Sequence, residues 1–177
     1  MTVVPGFVDC HNHAGGEVLL NEVLVGNPFE VEFVSIRSII GKLRERAQAT
    51  PAGTWVEGFF FDDTKLSDKR ALNIHDLDEV STEHPVIVRH RGGHTYFYNS
   101  KAFAMAGITK DTPNPPNGEI VKDPRTGEPT GHLKESAADQ WIDWFQEKGL
   151  LAPLFEHSGT LGPERHEFAR WIGREFV

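Results

Sequence analysis

Two histidines separated by one residue, His11 and His13, follow a short apolar run near the start of the chain. The run VVPGFVDCH is predicted to be a buried strand, because Pro5 and Gly6 punctuate its beginning and apolar side chains follow them. Alternate side chains of a strand share a face, so both imidazoles lie on the same face near the carboxyl end. Imidazole binds zinc, iron and nickel. The spacing therefore indicates either half of a metal site or, since the chain has nine histidines, a chance pair of hydrogen-bonded side chains.

Composition narrows the kind of metal site and the kind of protein. Cys10 is the single cysteine of the 177 residues, which excludes an internal disulfide and a cysteine cage for zinc, so imidazole and carboxylate must hold any metal. One cysteine and the absence of a leader before Pro5 predict a cytoplasmic location. The formal charge of −8 argues against nucleic acid as a partner, and no apolar run is long enough to predict a membrane span.

Periodicity and turn residues predict an alternation of helices and strands. The predicted elements are a helix from Ser35 to about Ala49, strands at 54–61 and 85–90, a short helix at 100–107, two short strands within 119–133, a helix from about Glu135, and a last helix from Pro163 to the end. Ser35 and Ser100 are predicted to cap their helices, and Gly107 is predicted to stop the second. The polar connection at 76–84 is predicted to hold one helical turn.

The run VVPGFVDCHNH resembles the first barrel strand of the amidohydrolase superfamily, whose signature is Pro-Gly, two apolar residues, then Asp-x-His-x-His. Later landmarks occur in the same order as in one branch of that superfamily, the branch that includes N-substituted formamide deformylase. These landmarks are TWVEGFFFD, RHRGGHTYFYNS and TPNPPNGEIVKDPRTGEPTGHLKESA. The resemblance extends from the start of the chain to Ala137.

The resemblance implies an α/β fold in which this chain holds part of a (β/α)₈ barrel. Residues 1–16 would form the first barrel strand with the metal-binding histidines. Residues 17–160 would form an α+β insertion, and residues 161–177 would begin the helix that leads to barrel strand two. The barrel is therefore expected to be incomplete in this chain.

The resemblance also implies roles for particular side chains. His11 and His13 are the expected metal ligands, and Glu135 falls on the glutamate of the motif L-x-E-x-A, where it would be a third ligand or a bridge between two ions. A helix-start glutamate favoured by the helix dipole is the simpler alternative. His94 and Asn99 fall on the motif G-H-x-x-x-x-N and are expected to bind substrate, unless they only stabilise the loop and the helix that follows. The proton-shuttling aspartate is expected outside this chain.

The reaction implied is hydrolysis of a non-peptide C–N bond in a small amide, formamide or cyclic amide by a metal-activated hydroxide. The expected cofactor is one or two divalent ions of zinc, with iron or nickel as alternatives. The chain alone is expected to be inactive and to self-associate through uncovered apolar surface. Two other classes stay open, a non-catalytic interaction fragment and a cupin-type metal enzyme, although a cupin would need an all-β chain.

Overall fold

Short strands rich in apolar residues form a mixed six-stranded sheet in the described part of the chain, with helices on both faces. The computed structural model describes residues 23–26 and 33–147. The strands are β1 (Val23–Leu24), β2 (Val56–Phe61), β3 (Val86–His90), β4 (Thr95–Tyr98), β5 (Gly118–Lys122) and β6 (Pro129–Glu135). The helices are α1 (Ile36–Gln48), α2 (Ile74–Asp78), α3 (Ser100–Ala106) and α4 (Ser136–Glu147), and a 3-10 turn (Asp63–Lys65) follows β2.

The strand order is β1-β2-β3-β4-β6-β5. Strands β1, β2 and β3 are parallel, whereas β4 is antiparallel to both of its neighbours and β5 is antiparallel to β6. Strands β1, β2, β3 and β6 consequently run in one direction. Their carboxyl ends meet along one side of the sheet, which we call the carboxyl edge.

Each face of the sheet carries its own apolar cluster. On one face α1 packs over β1 and β2, and the buried side chains include Ile39, Leu43, Val56 and Val88. On the other face α3 packs over β3 and α4 packs over β5 and β6. The buried side chains there include Tyr98, Phe103, Ile120, Leu133 and Ala138. Burial on both faces fixes the register of the strands, because a slip by one residue would exchange the two sets of side chains.

The predicted first helix is confirmed, including its cap. The Ser35 hydroxyl accepts a hydrogen bond from the Ser38 amide at 3.1 Å, and the Ser38 hydroxyl accepts one from the Ser35 amide at 3.2 Å. The Asp68 carboxylate accepts a third from the Ile36 amide at 2.8 Å. These bonds satisfy the amides that a helix start leaves without a partner in the helix.

Other predictions need small corrections. The predicted strands at 54–61 and 85–90 begin at Val56 and Val86, and the predicted turn of helix in the polar connection is α2. Helix α3 is capped by Asn99 and not by Ser100, while Gly107 ends it in the left-handed conformation as predicted. Strand β4 was not predicted, because its four residues lie directly between a turn and a helix.

Two predicted features lie outside the described residues. These are the first barrel strand at residues 1–16, which carries His11 and His13, and the helix from Pro163. In the part of the chain that the structure describes, a mixed sheet with helices on both faces agrees with the predicted α/β class. No helix in this part is long and apolar enough to cross a membrane.

A loop covers the outer side of the edge strand β5. The Asn114 side chain accepts a hydrogen bond from the Ile120 amide at 2.8 Å. The Lys122 ammonium donates to the carbonyl oxygens of Lys110 and Thr112 at 2.7 and 2.8 Å. Loop 110–117 is thereby tied to the strand on the side away from β6.

Candidate functional site at the carboxyl edge

Charged and imidazole side chains gather where the parallel strands end. The residues concerned are Asp62 and Asp63 after β2, His90 and Arg91 at the end of β3, His94 before β4, and His132 and Glu135 in the second half of β6. In open α/β sheets, ligands bind beyond the carboxyl ends of the strands. The carboxyl edge is therefore the first place to look for function in this chain.

The structure brings together two of the residues that the sequence singled out. His94 Nδ1 lies 3.4 Å from Glu135 Oε2, and the His94 carbonyl accepts a hydrogen bond from the Glu135 amide at 2.8 Å. Both side chains face solvent, with exposed fractions of 74% and 64%. An imidazole and a carboxylate thus stand side by side at an accessible position.

Glu135 holds a backbone conformation that side-chain-bearing residues rarely adopt. Its φ is 51°, in the left-handed region, at the junction between β6 and α4. Gly118 lies opposite it in β5, and a Cβ atom there would come within 2.3 Å of the Ala137 amide nitrogen. The backbone between β6 and α4 therefore passes through space that a side chain at position 118 would fill. Strained conformations of non-glycine residues cluster at active sites and ligand clamps.

Asn99, the third predicted site residue in this part of the chain, is used within the fold. Its side chain is fully buried, and its oxygen accepts hydrogen bonds from the amides of Val86 and Ala102 at 3.0 Å each. Its amide group donates to the carbonyls of Ser81 and His84 at 3.0 and 2.9 Å. It follows β4 and so lies at the side of the sheet opposite to the carboxyl edge. Its role in substrate binding stays a prediction, and within the described residues its polar side-chain atoms are bonded inside the fold.

Asp62, Asp63 and His90 form a second polar group at this edge. One ligand-type atom of each lies within 4.8 Å of the others, and by donor type the three could hold a divalent cation. His90 Nε2 lies 3.2 Å from Asp63 Oδ1, and Arg91 Nε lies 2.9 Å from Asp62 Oδ2. The guanidinium thus occupies the position of a counter-ion beside the buried carboxylate.

The hydrogen bond from Gly92 decides how His90 is protonated. The Gly92 amide donates to His90 Nδ1 at 3.1 Å, so in the neutral ring the proton resides on Nε2, which donates it to Asp63. A metal on Nε2 would require the proton on Nδ1, facing a donor and not the usual acceptor. As they stand, Asp63 and His90 form a hydrogen-bonded pair, and binding a cation would require the Gly92 bond to break.

Asp62 remains ionised despite its burial. Burial alone would raise the pKa of its carboxyl group, but hydrogen bonds from Thr64 and the positive charge of Arg91 outweigh it and lower the pKa. The Thr64 hydroxyl and amide donate to Oδ1 at 2.6 and 3.0 Å. The carboxylate therefore anchors the turn that follows β2.

His132 is a further residue near this edge, and no sequence motif singled it out. Its ring stacks on Phe97 with centroids 4.3 Å apart, and among the described residues its buried Nε2 has no hydrogen-bond partner. Burial, assisted by the charge of Lys134, lowers its pKa from 6.5 to about 4. The ring is therefore neutral at physiological pH. The segment TGHLKE indicates where this side chain lies, because strand alternation places His132 on the face of the sheet opposite to Leu133.

These observations define the chain as an α/β protein with its polar, imidazole-bearing groups at strand carboxyl ends. That arrangement is used by hydrolytic enzymes among others. A family model described as the amidohydrolase family matches residues 1–151. The chain belongs to this family, and the predicted superfamily membership is confirmed.

Relatives in the family agree with this assignment. The chain is 33% identical over 163 residues to N-substituted formamide deformylase of Arthrobacter pascens, covering 89% of this chain and 29% of that protein. It is 36% identical over 137 residues to the putative amidohydrolase YtcJ of Bacillus subtilis (strain 168), covering 76% of this chain and 25% of that protein. The chain thus spans between a quarter and a third of the length of these relatives.

The fold is also found in a solved structure. An uncharacterized metal-dependent hydrolase from Pyrococcus furiosus superposes with a TM-score of 0.51 at 22% identity, covering 81% of this chain and 25% of that one. At this level of identity the likeness concerns the fold alone.

Proposed function

We propose that this chain is part of a metal-dependent amidohydrolase that hydrolyses a non-peptide C–N bond in a small amide, formamide or cyclic amide. Family membership supports the reaction class, and the relative named for a formamide supports the kind of bond. The observation that carries the proposal is the His94–Glu135 pair, an exposed imidazole and carboxylate at the carboxyl edge, with Glu135 in a strained conformation.

The residues assigned to the metal are His11, His13 and Glu135. The Glu135 carboxylate fits a ligand role because it is exposed and because, within the described residues, its contact is with the neutral or cationic ring of His94. Two imidazoles and a carboxylate are the donor set of many catalytic zinc sites, and iron and nickel accept the same donors. Such an ion supplies Lewis acidity and makes a water molecule acidic enough to act as a nucleophile near neutral pH.

His94 is assigned to substrate binding and to the orientation of Glu135. Its Nδ1 faces the Glu135 carboxylate, and a partner of this kind fixes the direction of a metal-binding carboxylate. In the imidazolium form, in which both ring nitrogens donate, Nε2 is the group we assign to a hydrogen bond with the carbonyl oxygen of the substrate. No step is assigned to Asp63 or His90, whose hydrogen bonds are made within the fold.

We expect the chain alone to bind zinc weakly and to turn over no amide, because three ligands without a proton-shuttling aspartate do not complete a hydrolytic centre. The part of the relatives that this chain does not span is the expected source of the missing groups. Tight stoichiometric zinc binding together with catalytic turnover by this chain would contradict this part of the proposal.

The test compares zinc affinity, by competition with a chromophoric chelator, in the wild-type chain and in Glu135→Gln. We expect the substitution to weaken binding about tenfold or more, since it removes the charged ligand. Glu128→Gln is the matched control, because Glu128 is an exposed glutamate of the same hairpin, just before β6 and away from the carboxyl edge. Equal affinities for all three proteins would exclude Glu135 as a ligand.

The reaction class is tested in the full-length protein with a panel of N-formyl amines, cyclic amides and N-acyl amino acids. His94→Ala is expected to raise KM more than it lowers kcat for the best substrate if His94 binds the substrate carbonyl. Turnover of none of these compounds by the zinc-loaded protein would overturn the proposed reaction.

A further inference from the structure

We propose that Glu57, Arg89 and Tyr96 act as positioning residues for His94 and, through it, for Glu135. We call these three residues the brace. The roles of His94 in substrate binding and of Glu135 in metal binding are taken from the proposed function. The chain of contacts itself stands on the geometry described below.

The first contact is a nearly buried ion pair between neighbouring parallel strands. Arg89 in β3 donates to Glu57 Oε2 in β2 from Nη2 at 2.9 Å and from Nε at 3.2 Å. The exposed fractions of the two side chains are 11% and 12%. Burial raises the pKa of Glu57, and the charge of Arg89 opposes that shift. The pair therefore holds the guanidinium in one place in the sheet.

The second contact fixes a tyrosine ring against that guanidinium. The Arg89 guanidinium carbon lies 5.3 Å from the centroid of the Phe59 ring and 5.5 Å from that of Tyr96. Tyr96 is the direct cross-strand partner of Arg89. Both distances are within the range of a cation–π interaction, which is stronger where water is excluded. The orientation of the tyrosine ring thus depends on the ion pair.

The third contact connects the ring to the turn between β3 and β4. The Tyr96 hydroxyl donates to the Gly93 carbonyl at 3.2 Å, and the Gly93 amide donates to the His90 carbonyl at 3.0 Å. Gly93 has a φ of 76°, which favours glycine and gives the turn its shape. Tyr96 therefore holds the residue that directly precedes His94.

The last contact is a hydrogen bond between the backbones of His94 and Glu135. The Glu135 amide donates to the His94 carbonyl at 2.8 Å, on the same residue whose ring faces its carboxylate. Glu135 keeps its left-handed conformation only where its surroundings enforce it. The His94 carbonyl is one of the groups that enforce it.

Stability alone is a poor explanation for the ion pair. Replacing a buried ion pair by packed apolar side chains is often neutral or stabilising, so such a pair is weak evidence of a stabilising role. The ion pair instead fixes a geometry, because the Arg89 guanidinium must lie against the Glu57 carboxylate and against the rings of Phe59 and Tyr96 at the same time. That property suits residues that position a site.

The test is amide hydrogen exchange of the 177-residue chain, read at Glu135 and referred to the amide of Leu133 in the same strand. Tyr96→Phe removes the hydroxyl but keeps the ring against Arg89. We expect the Glu135 amide to exchange about fivefold faster or more, in line with the loss of one hydrogen bond, while the Leu133 amide is unchanged. Thr130→Val is the matched control, because it removes a hydroxyl that donates to the Val121 carbonyl at 3.0 Å at the other end of β6.

Arg89→Lys provides a second variant that keeps the charge beside Glu57 but loses the planar stack on the rings. Its Glu135 amide is expected to exchange faster than in the wild-type chain. Unchanged exchange at Glu135 in both variants, or an equal change in the Thr130→Val control, would overturn the inference. If exchange responds as expected but Glu135→Gln leaves zinc affinity unaltered, the brace stands and the proposed function fails.

Discussion

Glu135 adopts an unfavourable backbone conformation at the position that we assign to metal binding. A residue with a side chain loses about 1–2 kcal/mol in the left-handed conformation relative to its favoured regions, and glycine does not. The residue before α4 has a φ of 51° and is nevertheless a glutamate. A side chain kept against this cost is what a binding or catalytic position would show.

We predict that Glu135→Gly raises the free energy of unfolding by about 1 kcal/mol while it abolishes the zinc affinity assigned to this residue. Glu135→Ala is the control, because it removes the same carboxylate but keeps a Cβ atom and hence the strain. Urea unfolding followed by circular dichroism measures both variants. A glycine variant no more stable than the alanine variant would show that the conformation costs nothing.

At the scale of helices and strands, the Asn99 side chain connects several separate elements of the fold. Its side chain bonds to β3, to α3 and to the connection at 81–84. Asn73, by comparison, caps α2 alone, with its oxygen accepting from the amides of His75 and Asp76. The two asparagines share a capping role and differ in how many elements they connect.

We predict that Asn99→Ala lowers the free energy of unfolding by at least about 3 kcal/mol, because it leaves buried amides and carbonyls unpaired. Asn73→Ala should cost only about 1 kcal/mol, the usual value of a helix cap. Equilibrium urea unfolding of the two variants gives the comparison. A cost for Asn99 no larger than that for Asn73 would contradict this prediction and favour the predicted role of Asn99 in substrate binding.

At the scale of the whole molecule, the two apolar clusters share one sheet. Strand β3 contributes Val88 to one face and Ile87 to the other. Helix α2 likewise contributes Leu77 to one cluster and Ile74 to the other. Loosening one cluster should therefore weaken the other.

We predict that Leu43→Ala, in the cluster under α1, lowers the free energy of unfolding by about 3 kcal/mol. The loss should appear equally in the exchange of the Ile39 amide in α1 and of the Tyr98 amide in β4, since slowly exchanging amides report unfolding of the unit that contains them. If only Ile39 loses protection, the two faces unfold separately.

Local patterns predicted much of this fold because they act over a few residues. The apolar spacing and cap of α1, the two strands β5 and β6, and the end of α3 at Gly107 all follow from side chains close in sequence. The motif G-H-x-x-x-x-N also singled out His94, and the motif L-x-E-x-A singled out Glu135. Their pairing was not predictable, because it depends on β6 inserting between β4 and β5, a long-range choice that no local pattern encodes.

The same limit explains what was missed at the site. His132 looks like an ordinary strand residue until β4 places Phe97 against it. The hydrogen bond from Gly92 to His90 depends on the exact shape of a turn. Asn99 could be matched to a motif, but its four partners come from three separate segments.

The loop along β5 has a consequence for how this chain behaves beside copies of itself. An open edge strand offers its free amides as a template on which a strand of another molecule can add, and repeated addition gives fibrils. Asn114 already occupies the outward amide of Ile120, and Lys122 places a charge beside it. At this edge the molecule resists strand-by-strand aggregation, and a peptide designed to extend the sheet there would first have to displace the loop.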